Sequence, residues 1–241
     1  FTRLIELPYI NIKMNFDLKP MKAIITGSTG MIGKGLLLEC IDNPEVEEVL
    51  LVNRNSVGIM NQKVKEIIHK DFSDFSPIKN QLKGYDACYH CMGVSAAGIN
   101  EENYTNLTYK VSKALASVLY NLNPNMVFCY VSGTGTDSTE KGRVMWARVK
   151  GKTENMILKM GFKDAYAFRP GVILPERGIK SRTALYRVFY VIFRPLFPLL
   201  KRMKSVTTTT KLGRAMINVY NHPQQLKHLE GADINKLAEI R

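Results

Sequence analysis

The sequence predicts an α/β fold, a doubly wound parallel sheet with a small, mostly helical C-terminal lobe. Three observations predict it. Short apolar runs of strand length alternate with segments of helical spacing, the first strand-to-helix junction is a cluster of glycines, and the helical segments stop at Asn-Pro or Gly before the next apolar run.

The elements follow in order. Met21 to Thr26, MKAIIT, is an apolar run that halts at glycine, and Met31 to Asp42, MIGKGLLLECID, then takes helical spacing until Asn43-Pro44 stops it. Val46 to Asn53, VEEVLLVN, reads as a second strand, VKEIIHKDF from Val64 as a third, and Tyr85 to Cys91, YDACYHC, as a fourth. Glu101 to Leu122 reads as one long helix closed by Asn123-Pro124, and Met126 to Val131, MVFCYV, as a fifth, buried strand. Val144 to Met160 reads as a helix closed by Gly161, and Asp164 to Phe168 as a sixth strand. From Thr183 an aromatic-rich helix is interrupted by Pro195 and Pro198, and the hydroxyls of Thr207 to Thr210 supply N-caps for another. Strands separated by helices of this length imply right-handed crossovers and parallel pairing.

With 241 residues, 45% of them hydrophobic and 23% charged, the chain suits one large domain with a substantial core, and disordered or low-complexity classes fit poorly. Residues 1–20 carry charges throughout and have no continuous apolar stretch, so they do not read as a signal peptide. They read as an N-terminal extension, with Met21 or Met14 as the expected natural start. The net charge of +13 admits nucleic acid, an anionic membrane or a phosphate-rich cofactor as partner. Its excess gathers at Arg177, Lys180, Arg182, Arg187, Arg194, Lys201, Arg202 and Lys204. Cys40, Cys88, Cys91 and Cys129 lie in apolar surroundings, which suits reduced thiols, and a cytoplasmic location is expected. Cys88 and Cys91 have C-x-x-C spacing without a second ligand pair; they read as structural, and no metal site is expected.

The glycine cluster carries the first functional reading. Thr26-Gly27-Ser28-Thr29-Gly30-Met31-Ile32-Gly33 has G-x-x-G-x-x-G spacing between a strand and a helix, where glycine lets backbone N-H groups approach a pyrophosphate at the helix N-terminus. Residues 21–175 are therefore expected to bind a dinucleotide, and residues 176–241 to form a lid or substrate lobe of the same globule. At the end of the second strand stand Asn53 and Arg54 rather than an acid. A cation there suits a 2'-phosphate, so NADP is expected over NAD.

With these residues in hand, the chain resembles the short-chain dehydrogenase/reductase superfamily with its Rossmann fold. It is closest to the extended and atypical branch of epimerase-like and Tat-interacting-protein-like reductases, over about Met21 to Tyr220. Beyond Gly27, Gly30 and Gly33 the resemblance takes in Asp71 and Phe72 after the third strand, where the family contacts adenine. It also takes in Cys91-Met92-Gly93-Val94 after the fourth, where backbone passes the ribose. Val131-Ser132-Gly133 matches the end of the family's fifth strand, and Ser132 its catalytic serine. Lys150 with Glu154 matches the active-site helix, and Arg169-Pro170-Gly171 the R-P-G after the sixth strand. The resemblance implies cofactor contacts from Lys150 and Pro170 and an active site at Ser132, Trp146 and Lys150.

The family's helix carries Y-x-x-x-K, tyrosine handling the proton and lysine the nicotinamide ribose. Here Trp146 holds the tyrosine position. An indole N-H only donates and does not ionise near neutral pH, so Trp146 cannot be a tuned acid or base. Two readings follow. In the first, an epimerase or reductase acts on a carbonyl, alcohol or sugar nucleotide, with its proton from Ser132, Thr134, Tyr104, Tyr109 or a water at Lys150. In the second, a non-catalytic sensor or interaction protein binds NADP(H). The segment ALYRVFYVIFRPLFPLLKRMK is broken by Arg187, Arg194 and two prolines, which makes it a poor membrane span. It reads as a lid over the substrate, or as a peripheral membrane contact through residues 186–204. Nucleic acid is not expected as a partner, and a monomer or dimer is.

Overall fold

The computed structural model describes residues 20–179, 197–200, 203 and 205–240. The N-terminal extension and most of the aromatic, basic segment, with the expectations of a lid or membrane contact at 186–204, lie outside the described residues.

Seven parallel strands form the main sheet. They are β1 (Met21–Thr26), β2 (Val46–Asn53), β3 (Val64–Ile68), β4 (Ala87–His90), β5 (Val127–Val131), β6 (Asp164–Arg169) and β9 (His228–Glu230), in the spatial order β3-β2-β1-β4-β5-β6-β9. The order reverses beside β1, which pairs with β2 on one side and β4 on the other. A crevice therefore opens at the carboxyl ends of β1 and β4, the place where such sheets bind ligands. Outside the main sheet, β7 (Val172–Leu174) pairs in parallel with β8 (Val206–Thr208), which follows the short helix α5 (Phe197–Leu200).

Two apolar layers sandwich the sheet. On one face α1 (Met31–Asp42) packs with α6 (Thr209–Asn221) and α7 (Gly231–Leu237), bringing Leu36, Leu37 and Cys40 against Leu212, Ala215 and Met216, all with no exposed surface. Each fully buried leucine or methionine there contributes roughly 1.5–3 kcal/mol. On the other face α3 (Val111–Leu122) and α4 (Met145–Leu158) cover Ile24, Cys88 and Phe128. Residues from 206 onward thus return to the dinucleotide-type sheet through β9 and seal its back with α6. The expected threonine cap is Thr208, whose hydroxyl accepts from the Lys211 N-H at 3.1 Å.

One expectation changes. The single helix expected over residues 101–122 is α2 (Glu101–Thr105), a π-helical turn at Asn106–Lys110 and then α3. The Ser112 hydroxyl bonds back to the Thr108 carbonyl at 2.6 Å, competing with the regular ladder where the turn widens. Of the basic cluster, Arg177 lies among the described residues: its Nη1, and Nε of Arg214 on α6, each bond at 3.0 Å to Glu39, an acid buried on α1. A carboxylate survives in that seam because two guanidinium groups meet it.

Candidate functional site

The glycine loop joins β1 to α1. Gly27 has φ +74°, and a Cβ on it would lie 2.8 Å from the Cys91 carbonyl carbon and the Met92 nitrogen. A Cβ on Gly33 would lie 2.4 Å from the Gly27 oxygen. Glycine is required at both, because the loop lies flat between the first turn of α1 and the chain leaving β4. Gly30 caps α1 without a side-chain hydrogen bond, and the first turn holds no acid. Its N-H groups and the positive end of the helix dipole therefore remain for an anion.

A groove runs over this loop, lined by Gly27, Thr29, Gly30, Asn53, Arg54, Asn55, Phe72, Cys91, Met92 and Gly93. All but Asn55 are residues the sequence singled out for the cofactor. The others take different places. Ser28 and Gly33 are buried beneath the loop, Met31 and Ile32 pack against the core, Asp71 is exposed, and Pro170 is buried beyond β6.

Asn53 and Arg54 divide their roles. Asn53 is buried, its amide donating to Ser28 Oγ at 2.7 Å and Glu66 Oε1 at 3.0 Å, while its oxygen accepts from Ser28 Oγ at 3.1 Å. Glu66 also accepts from Ser56 Oγ at 2.5 Å and the Val57 N-H at 3.1 Å, which turns its carboxylate into its own loop. Arg54 is left as the exposed charge at the end of β2, and Lys70 Nζ bonds to its carbonyl at 2.7 Å. Asp71 accepts from the Ser73 hydroxyl and N-H, which hold its carboxyl below the usual range. Sequence reasoning passed over Glu66 because only the pairing of β2 with β3 brings it beside Asn53.

Beneath the groove, His90 ends β4 with Nδ1 2.6 Å from Thr26 Oγ1 and Nε2 2.9 Å from Ser112 Oγ. Its ring stacks on Tyr130. Burial pushes its pKa down to about 4, so it is neutral at pH 7. All four cysteines are free thiols, and burial pushes Cys91, at the groove wall, up to about 12, so that it stays protonated and unreactive.

The second half of the site gathers around α4. Trp146 and Lys150 lie four residues apart on this helix, both half-buried. The loop after β5 presses on them. A Cβ on Gly151 would lie 1.8 Å from the Asp137 oxygen, and one on Gly135 3.5 Å from Trp146 Cη2. Lys150 Nζ donates to the Ser132 carbonyl. Burial lowers the Lys150 pKa, opposed by the Glu154 carboxylate.

Ser132 is buried, and its hydroxyl donates to Glu154 Oε1, with a second contact to the Phe168 carbonyl at 3.2 Å. Glu154 has no exposed surface and also receives Arg169, Nε at 3.0 Å on Oε1 and Nη2 on Oε2. The structure thus turns the Ser132 hydroxyl toward an ion pair. Among the other hydroxyls weighed as proton sources, Tyr104 is buried, Tyr109 lies under the Lys152 ammonium at 5.0 Å, and Thr134 is exposed. Thr134 Oγ1 donates to the Arg169 carbonyl at 3.0 Å and contacts Glu230 at 3.3 Å. Glu230, Ser138 and His228 were not foreseen here. No local motif marks them: β9 must join β6 before Glu230 and His228 meet Arg169 and Glu154, and the loop after β5 must fold back before Ser138 reaches Arg169.

The chain is similar in sequence and in fold to known proteins. A model of the NAD dependent epimerase/dehydratase family matches residues 23–143. Protein FMP52, mitochondrial, of Meyerozyma guilliermondii is 23% identical over 226 residues, covering 91% of this chain and 96% of its own. Protein FMP52-2, mitochondrial, of Scheffersomyces stipitis is 30% identical over 159 residues, 64% of this chain and 67% of its own. Protein HTATIP2 of Rattus norvegicus is 23% identical over 70% of this chain and 69% of its own, in keeping with the Tat-interacting-protein-like resemblance. Among solved structures, the ADP-L-glycero-D-manno-heptose-6-epimerase of Helicobacter pylori has TM-score 0.64 at 15% identity, covering 86% of this chain and 76% of its own. The uronate dehydrogenase of Agrobacterium tumefaciens has TM-score 0.63 at 15% identity, covering 88% and 76%. These structures share the fold. The expected cytoplasmic location is corrected by the fungal relatives, which are named mitochondrial proteins. The buried thiols fill core space as small apolar groups do, so they do not single out the cytoplasm.

Proposed function

We propose a function from one premise: the chain belongs to the NAD dependent epimerase/dehydratase family. In this reading it binds NADP(H) in the groove at the ends of β1, β2 and β4. Its Trp146–Lys150 face meets a carbonyl, alcohol or sugar-nucleotide substrate. The observation that carries the choice of cofactor is the exposed Arg54 guanidinium at the groove wall, with Asn53 and Glu66 both committed to hydrogen bonds of their own. A guanidinium there suits a 2'-phosphate, and the flat glycine loop over an uncapped helix suits the pyrophosphate.

A nicotinamide bound here would supply hydride transfer. The chain's own contribution is positional. The Lys150 ammonium, held by the Ser132 carbonyl, supports a ribose contact, and Trp146 offers an apolar face and one N-H donor. Proton delivery then falls to the exposed Thr134 hydroxyl or to a water at Lys150. A second reading, binding without turnover, is favoured by the Ser132 hydroxyl, which Glu154 occupies. The names of the fungal relatives support a mitochondrial setting. Peripheral membrane attachment through residues 186–204 stays part of either reading, and failure to float with anionic liposomes at low salt removes it.

Titration of NADPH and NADH against the emission of Trp146, the sole tryptophan, tests the proposal. The expected result is a saturable response with tighter binding of NADPH. Silence toward both cofactors overturns it. Single-turnover oxidation of bound NADPH across a carbonyl panel separates the two readings: activity only in Trp146→Tyr selects binding without turnover.

A further inference from the structure

The pair Glu154–Arg169 joins four parts of the chain. Glu154 is on α4, one turn beyond Lys150, and has no exposed surface. Arg169 ends β6 and holds Glu154 through two nitrogens, Ser138 Oγ through Nη2 at 2.5 Å, and Glu230 on β9 at 3.6 Å. The Ser132 hydroxyl donates to Glu154, the Ser132 N-H donates to the Phe168 carbonyl at 2.9 Å, and the Ser132 carbonyl accepts from Lys150. One residue of main chain therefore connects a buried ion pair to the ammonium expected beside the cofactor. An isolated buried carboxylate is costly, so the pair has one stable arrangement and little freedom to drift.

We propose that Glu154 and Arg169 are positioning residues of the reaction site, and that Ser132 serves it through its backbone. The ion pair fixes the Ser132 main chain, and the Ser132 carbonyl fixes Lys150. This gives Ser132 a role other than proton donor. It also ties the active-site helix to β9 and the C-terminal lobe through Arg169. The inference rests on the proposed reading of Lys150 as a cofactor contact, but its test needs no cofactor.

The test is trace acetylation of the unliganded protein with acetic anhydride, following Lys150 by mass spectrometry as a function of pH. The charged groups around the link are Glu154 on α4, Arg169 on β6, and His228 and Glu230 on β9. Glu154→Gln removes the negative charge that opposes the effect of burial on Lys150 and leaves Arg169 with Glu230 alone. Its Lys150 midpoint should fall by about one pH unit, a tenfold change in the free-amine fraction. A folded Glu154→Gln protein with an unmoved midpoint overturns the proposal. If that variant does not fold, Ser132→Ala decides, because it keeps the ion pair and cuts only the hydroxyl link. Lys150 should then label about threefold faster or more at fixed pH, as its bond to a less firmly held Ser132 carbonyl weakens. An unchanged rate overturns the proposal. Cofactor titration of the wild-type chain fails or succeeds independently of either result.

Discussion

The two halves of the site are built from different materials. The cofactor half, at the ends of β1, β2 and β4, is made of backbone: two glycines with no room for a Cβ, an uncapped helix start, and one charged side chain on the groove wall, Arg54. The reaction half, at the ends of β5 and β6 and on α4, is made of buried side chains, with Glu154 receiving Ser132 and Arg169 while Lys150 bonds to the Ser132 carbonyl. Backbone recognition of a phosphate tolerates few changes and leaves a local motif. A side-chain network can keep its scaffold and lose one chemical member, which on the proposed reading is the tyrosine position held by Trp146, without losing the fold. On the proposed reading, the chain retains the means of holding a dinucleotide more completely than the means of moving a proton.

Four measurements press on that contrast. The largest effect is expected from Arg169→Ala, which leaves Glu154 buried and uncompensated and should cost about 3–5 kcal/mol by urea denaturation. A loss below about 1 kcal/mol would mean that water reaches Glu154, and the reaction half would not be a buried network.

The next lies beneath the cofactor half. His90 has its folded pKa depressed to about 4 from an ordinary 6.5, so between those values the unfolded chain binds the extra proton. Its contribution is complete above pH 6.5 and disappears as pH falls toward 4, about 3 kcal/mol in all. Urea melts at pH 7 and 4.5 should show this loss, and His90→Gln should show a smaller one. Equal pH profiles for the two proteins would refute it.

Smaller still, Arg54→Ala should weaken NADPH binding about tenfold, the worth of a charge-assisted contact, and change NADH binding by less than about twofold. Equal losses for both cofactors would remove the 2'-phosphate reading. Least of all, Trp146→Tyr should shift stability by no more than about 0.5 kcal/mol, because the ring is half-buried and the scaffold does not hang from it. A large destabilisation would make Trp146 a core residue and blur the distinction between scaffold and chemistry.

Much of the first half was legible in the sequence because its signals are local. β1, α1 and β2 end where expected, since apolar runs of six and eight residues and a twelve-residue helix carry clear periodicity and hard stops at Gly27 and Asn43-Pro44. The strands β7, β8 and β9 went unread because each is three residues long, too short for an alternation to show. The π turn at Asn106 was equally silent, as helical spacing persists on both sides of it.

At the site the same division holds. The groove residues were readable because glycine spacing and the residue after a strand state their own geometry. Ser132 shows the opposite case: its position was readable, but the direction of its hydroxyl depended on an acid 22 residues away. Glu66, Glu230 and His228 acquire meaning only when the strands that carry them pair with their neighbours.

By itself, the sequence determined the strand–helix alternation, the glycine loop, the cation after β2, and the Trp146–Lys150 spacing on one helical face. These are properties of neighbours along the chain, set by φ/ψ preference and helical period. The tertiary structure alone decided that Asn53 is withheld and Arg54 presented, and that Ser132 answers to Glu154. It alone brought the C-terminal strand β9 to the reaction half. Those outcomes turn on where buried charge finds its partner, and in a parallel sheet that partner lies on another strand or helix, tens of residues distant in sequence.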